Sequence, residues 1–316
     1  MRLFLLLAIL SSLPLAAQKK ANKRKPEPFQ WNNPLPEKFE KLGVLHGTYE
    51  SKINRASIGY NILLPKVYAD EPTRRFPVVY LLHGGRPGSE SKILNVAPFV
   101  TKAISEKLIP PTIYVFVNGG PMSHYDYPGV IKNLDEGVGK KGNSTLVKEL
   151  IPHIDLTYRS IAKRKGRILE GYSQGGRGTL RAAFRNPELF AAASAGSAGV
   201  ATELRIQENE GAESDHTRFT PGDDAYTLAK QYAENKKESF PLKLLLYTGN
   251  TKKDFNWEGN VAYSTYLDSI KIAHRHLLIP DCPHSASKAY TISSKELFAF
   301  LKPILRAATE VAPRSK

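Results

Sequence analysis

Gly171-Tyr172-Ser173-Gln174-Gly175 decides how this chain is read. The five residues spell G-x-S-x-G, a pattern that seats a serine on a sharp turn between a strand and a helix, with its hydroxyl exposed at a sheet edge. Glycines flank it because side chains would crowd the turn. Five residues are a weak signal alone, so their surroundings have to agree. Upstream, Gly166-Arg167-Ile168-Leu169-Glu170 contains an apolar pair and reads as a short strand; downstream, Gly176 to Arg185 is rich in Ala and Arg and reads as a helix. That context predicts an acyl-transferring hydrolase.

Working outward, strand-like and helix-like stretches alternate from about Val44. Val44 to Ser51 and Ser57 to Leu64 alternate apolar with polar residues and read as an antiparallel opening pair. Pro77 to Leu82 and Thr112 to Val117 are continuous apolar runs, as expected of strands buried on both faces of a sheet. Ile168 to Gly171, Ala191 to Ala195, Leu242 to Tyr247 and His276 to Ile279 are further strands; Ile93 to Leu108, Ser144 to Ile154, Gly176 to Arg185, Val261 to Ile272 and Ser285 to Leu305 are helices. The alternation predicts an α/β fold, a mostly parallel central sheet with helices on both faces. With 41% hydrophobic and 24% charged residues, the 316-residue chain has ordinary globular composition, and a single domain over 41–308 accounts for it. Residues 203–238 break the pattern: Glu203 to Asp224 is polar, and Ala225 to Lys236 reads as a surface helix, so the segment is either a cap over the site or a plain excursion.

The ends read differently. Arg2, the apolar run Leu3 to Leu10 and the small residues up to Ala17 have the three parts of a signal peptide, residues 1–17, with cleavage expected after Ala17. The run is too short to span a bilayer, so export to the periplasm or the exterior, without stable membrane insertion, is expected. Residues 18–40 read as a basic, Pro-rich, disordered leader, with Lys19, Lys20, Lys23, Arg24 and Lys25 inside it, and 309–316 as a C-terminal tail. The formal net charge of +15 favours anionic partners, but no zinc-finger spacing or RNP-type aromatic motif points to nucleic acid. Cys282 is the single cysteine, so no disulfide can form within the chain, and it reads as a small buried residue.

Sites in open α/β sheets lie at the carboxyl ends of strands, and that rule sorts the candidates. His83-Gly84-Gly85 follows the first buried strand; glycines there let a backbone N–H approach a substrate oxygen, so Gly85 and Gln174 are the candidate oxyanion donors. Among eight histidines, His284 sits in the loop after the last strand, in the order Ser before His. His274 and His276 lie at the wrong edge, and His46 and His153 far from it. For the orienting acid, Asp254 is the choice, in the loop after Leu242 to Tyr247; Glu258 is its competitor. His83, Gly84, Tyr125 and Trp257 are candidate substrate-binding residues, and Phe255 is a further aromatic of the same edge. No His/Cys/Glu grouping points to a metal, and no G-x-G-x-x-G follows a strand, so no cofactor is expected.

At these residues the chain resembles the esterase D-like branch of the α/β-hydrolases, which includes feruloyl and acetylxylan esterases, enterochelin-type esterases, S-formylglutathione hydrolases and mycolyltransferases. The likeness is carried by Phe76 to Gly85, Leu150-Ile151-Pro152-His153-Ile154, Gly171 to Gly176, Asn186-Pro187-Glu188-Leu189-Phe190, Asp254-Phe255 and Pro283-His284-Ser285. Gln174 departs from it, since a methionine is common there. The resemblance implies an α/β-hydrolase fold, with the nucleophile, acid and base roles on Ser173, Asp254 and His284. The expected activity is that of a cofactor-free serine carboxylesterase acting on a carbohydrate-linked acetyl or feruloyl ester or on a siderophore ester. Two other readings are an acyltransferase with a sugar acceptor and a non-catalytic binding protein on the same scaffold. The expected partner is a small-molecule or polysaccharide ester.

Overall fold

Val78–Leu82 and Ile113–Val117 are buried at every position, and they form the centre of an eight-stranded sheet. The computed structural model describes residues 29–129, 134, 137–200 and 220–310. The strands are β1 (Val44–Ser51), β2 (Ala56–Leu63), β3 (Val78–Leu82), β4 (Ile113–Val117), β5 (Arg167–Tyr172), β6 (Ala192–Gly196), β7 (Lys243–Gly249) and β8 (Arg275–Ile279), in the order β1-β2-β4-β3-β5-β6-β7-β8. β1 and β2 form the antiparallel opening pair, and β2 meets β4 antiparallel; β4, β3, β5, β6, β7 and β8 run parallel. This is the α/β-hydrolase architecture.

Strand alternation divides the core into two layers. Val78, Tyr80 and Leu82 of β3 face one layer, which also holds helices α5 (Ile151–Thr157), α6 (Gln174–Arg185), α7 (Ala225–Asn235) and α8 (Trp257–Ser269). Val79 and Leu81 face the other, covered by α3 (Ala97–Ser105) and α9 (Ala286–Thr309). Short helices α1 (Glu37–Glu40), α2 (Val67–Asp70) and α4 (Gly142–Thr145) complete the set among the described residues.

Several expectations need correction. The helix expected over Ile93 to Leu108 is a 3-10 turn at Leu94–Val96 followed by α3. Pro98 sets the start, because proline fits only the first turn of a helix. The second half of the expected disordered leader, from Phe29 onward, is packed: Trp31 and Phe39 are buried, and Asn33 donates to Glu90 through its N–H at 2.7 Å and its Nδ2 at 2.9 Å. Residues 1–28, with the signal-like segment, and 311–316 lie outside the described residues. So do 201–219, the polar part of the expected cap. The helix after it, α7, is a surface helix as expected: Ala225, Leu228, Ala229 and Tyr232 are buried in the layer shared with α6, while Lys230, Gln231, Glu234 and Asn235 are exposed.

One buried acid lies just upstream of the elbow. Glu170 of β5 is 1% exposed, takes a hydrogen bond from the Tyr290 hydroxyl, and has no partner for Oε2. Burial raises its pKa to about 7, against the smaller opposing effect of Tyr290. Because the folded protein holds this proton more tightly than the unfolded chain, the stabilisation is complete below about pH 4.5 and is lost as pH rises through about 7. Glu170→Gln is therefore expected to flatten the fall in thermal midpoint between those pH values and to recover up to about 3 kcal/mol at pH 8. Melting curves of both proteins at pH 5 and pH 8 check this.

Candidate active site

Ser173 stands between β5 and α6 with φ 59° and ψ −120°, in a region that L-residues rarely adopt. Its N–H donates to the Gly196 carbonyl at 2.8 Å, and its carbonyl accepts from Arg177 at 3.1 Å and Gly199 at 3.2 Å. The turn fits because Gly175 has no side chain: a Cβ there would lie 2.0 Å from the Leu82 carbonyl oxygen. A Cβ on Gly84 would lie 2.9 Å from the Ser173 Cβ. The loop after β3 is thus pressed against the serine.

His284, in the loop between β8 and α9, reaches the serine: Ser173 Oγ donates to Nε2 at 2.9 Å. On its other side, Nδ1–H donates to Asp254 Oδ1 at 2.9 Å. These partners fix the tautomer, leaving Nε2 free of a proton. Asp254 is buried and takes five donors: His284 Nδ1, Ser197 Oγ at 2.6 Å and the Asn256 N–H on Oδ1, and Thr248 Oγ1 and the Gly249 N–H on Oδ2. Burial alone would raise its pKa; the hydrogen bonds from His284, Ser197 and Gly249 outweigh it and hold the carboxyl down at about 2. Glu258, the competing acid, is exposed, and Asp281 pairs with Lys253 at 2.6 Å.

Ser197 was not foreseen. It follows β6 with φ 39°, is fully buried, donates to Asp254 and lies 2.8 Å from His284 Nδ1. Its only sequence signal is a serine at the carboxyl end of an Ala-rich strand.

The loops after β3 and β4 hold each other. His83 Nε2 accepts from the Gly119 N–H at 3.1 Å, so Nδ1 carries the proton and donates to the Gly84 carbonyl at 3.1 Å. His124 Nε2–H donates to the His83 carbonyl at 3.0 Å, and Ser123 Oγ donates to the Gly85 carbonyl. Burial, and then the neighbouring His124, push the His83 pKa well below the usual histidine range. Burial likewise lowers His124 to about 4, so both rings are neutral at physiological pH. Gly85, with φ 70°, and Gln174, which opens α6 with one of the N–H groups a helix cannot bond internally, flank the space beside Ser173.

A cleft of about 800 Å³ opens there. Ser173, His284, Gly84, Gly85 and Gln174 line it, with Lys92, Arg177, Asn256 and Phe255. Phe255 is 73% exposed, and its ring centroid is 3.9 Å from that of His284. Three expected lining residues do not line it. His83 is buried beneath the turn. Tyr125 is buried with its ring centroid 3.6 Å from the Arg181 guanidinium, and Trp257, the first residue of α8, is half-buried and outside the lining. Aromatic type in a loop does not reveal facing, which only packing determines. Cys282 is buried, and burial, then the Asp254 charge, raise its thiol to about 11, too high for a nucleophile at neutral pH. Among the described residues no cluster of three His, Cys, Asp or Glu could hold a metal ion, and no helix is long and apolar enough to cross a membrane.

A family model, Esterase, matches residues 51–277, a span from the end of β1 into β8 that includes Ser173 and Asp254. The chain belongs to the Esterase family. It is 31% identical over 140 residues to Esterase Rv1288 of Mycobacterium tuberculosis (strain H37Rv), a match that covers 44% of this chain and 28% of that protein, so it spans little more than a quarter of this relative's length. A ferulic acid esterase superposes with a TM-score of 0.66 at 20% identity, covering 83% of this chain and 98% of the other. An S-formylglutathione hydrolase from Staphylococcus aureus gives 0.62 at 17% identity, covering 82% and 98%. Likenesses at this identity concern the fold.

Two substitutions probe the site. Ser197→Ala removes a donor from a buried carboxylate and is expected to lower kcat/KM about tenfold while leaving KM nearly unchanged. Gly175→Ala forces a Cβ against the Leu82 carbonyl and should lower the thermal midpoint and abolish turnover together, which melting curves and initial rates would report.

Proposed function

We propose that this protein is an exported serine carboxylesterase that hydrolyses a carbohydrate-linked ester of an aromatic or acetyl acid. The observation that carries the reading is the hydrogen-bonded series Ser173 Oγ, His284 Nε2, His284 Nδ1, Asp254 Oδ1, with both links at 2.9 Å, on a strand-to-helix turn facing the cleft.

In this reading His284 takes the Ser173 proton as Oγ attacks the ester carbonyl. The imidazolium that forms is stabilised by Asp254, whose five donors keep it ionised and fixed. The N–H groups of Gln174 and Gly85 hold the developing oxyanion, and the α6 N-terminus adds favourable potential. His284 passes its proton to the leaving alcohol, and water attacks the acyl-enzyme by the same route in reverse.

For the substrate, the support is an exposed aromatic ring, Phe255, beside the base, together with polar Gln174, Asn256 and Ser285 in an open cleft of about 800 Å³. An aromatic acyl group on a sugar suits that mixture, and a ferulic acid esterase shares the fold. For export, the support is the sequence of residues 1–17.

Ser173→Ala is expected to lower p-nitrophenyl acetate turnover by about 10⁴-fold or more. Equal rates in the two proteins would overturn the reading. Among ester substrates, methyl ferulate and feruloylated arabinose should exceed a tri-catecholate ester in kcat/KM. Phe255→Ala should raise KM for the feruloyl esters more than for the acetate.

A further inference from the structure

At the sheet edge opposite Ser173 lies a groove of about 560 Å³. It sits where β2 ends and β4 begins, since Leu63 pairs with Tyr114, whereas Ser173 follows the carboxyl end of β5. Its floor is apolar: Leu63 and Ile109 are buried, and Val67 and Ile104 are half-buried. Leu42 stands exposed at the side. Lys66, Arg74, Lys107 and Arg306 also line it, and no carboxylate of the described residues does. Arg74 is matched by Glu71 at 3.0 Å, and Glu106, next to Lys107, lies 3.7 Å from Lys102 instead. Lys66, Lys107 and Arg306 are exposed and form no ion pair with the described residues.

An apolar floor under an uncompensated positive rim complements a molecule of the opposite design, an alkyl chain ending in an anion. We propose that this groove binds a monomeric long-chain carboxylate, with the chain along Leu63, Val67, Ile104 and Ile109 and the carboxylate among Lys66, Lys107 and Arg306. The volume is within the range of small-ligand sites. The chain's own ends are poor occupants, because Lys19, Lys20, Lys23, Arg24 and Lys25 near one and Arg314 and Lys316 at the other repel the rim. A bilayer surface is a poor one too: most of the apolar lining is sunk below the cations, and a flat membrane reaches only residues that stand out, such as Leu42. The site is separate from the ester-cleaving cleft and is independent of the function proposed for it.

Calorimetric titration of the full chain with sodium dodecanoate, below its micelle-forming concentration, tests this. Saturable binding of one molecule per chain is expected. It should weaken by about tenfold or more when Lys107→Gln and Arg306→Gln are combined, and equally when 1-dodecanol replaces the carboxylate. Ser105→Trp, which fills the groove from its lining, should abolish it. Both variants should keep wild-type p-nitrophenyl acetate turnover, which shows that they are folded. Dodecanoate affinity unchanged in both variants would overturn the proposal. So would equal affinity for the alcohol, or binding to phosphatidylglycerol vesicles with none to the monomer.

Discussion

The close contact between the β5–α6 turn and the end of β3 is the constraint on which the rest of the site depends. Ser173 holds a backbone conformation that costs on the order of 1–3 kcal/mol, and it persists because its surroundings leave no alternative. Gly175 lies against the Leu82 carbonyl, Gly84 lies against Ser173 itself, and the Ser173 N–H is tied to Gly196 of the neighbouring strand. Three adjacent strands, β3, β5 and β6, therefore converge on one residue. The parallel register that aligns their carboxyl ends, Leu82 with Gly171 and Tyr172 with Gly196, is what allows it.

Around this point, beside the cations Lys92 and Arg177 of the cleft, several titratable groups are held neutral. The two buried histidines beneath the turn after β3 are neutral and act as hydrogen-bonded struts, one accepting from β4's loop and the other donating to β3's. Glu170 of β5, three residues before Ser173, holds its proton near neutral pH. Asp254 is the exception, and it is ionised only because five donors replace the water it lost. An anion solvated by rigid protein dipoles would keep its orientation while, in the proposed mechanism, the imidazole beside it gains and loses charge.

Much of this was legible in the sequence, for identifiable reasons. Continuous apolar runs such as Val78 to Leu82 signal strands covered on both faces, and a strand's carboxyl end tells where to look for polar residues. Ser173, Asp254 and His284 each follow the carboxyl end of a strand, and their side chains meet. What stayed hidden depends on packing between segments distant in sequence. Ser197 looks like any small residue after an Ala-rich strand until Asp254 is beside it. His83 and Tyr125 occupy the right loops but turn inward, to Gly119 and to Arg181 respectively. The ordered stretch from Phe29 looked like leader because its prolines and charges mask Trp31 and Phe39, which find their burial only against the sheet.

Phe255 gives the cleft an unfinished wall. A phenyl ring left 73% in water lies with its centroid 3.9 Å from that of the His284 imidazole, tilted 37° to it. In the proposed reading, a substrate group that covers that ring sheds the water around it and lowers the local dielectric in which the His284 proton would move. The apolar bulk of a substrate would then register in the rate of the chemical step as well as in its affinity, so that recognition and catalysis share one side chain.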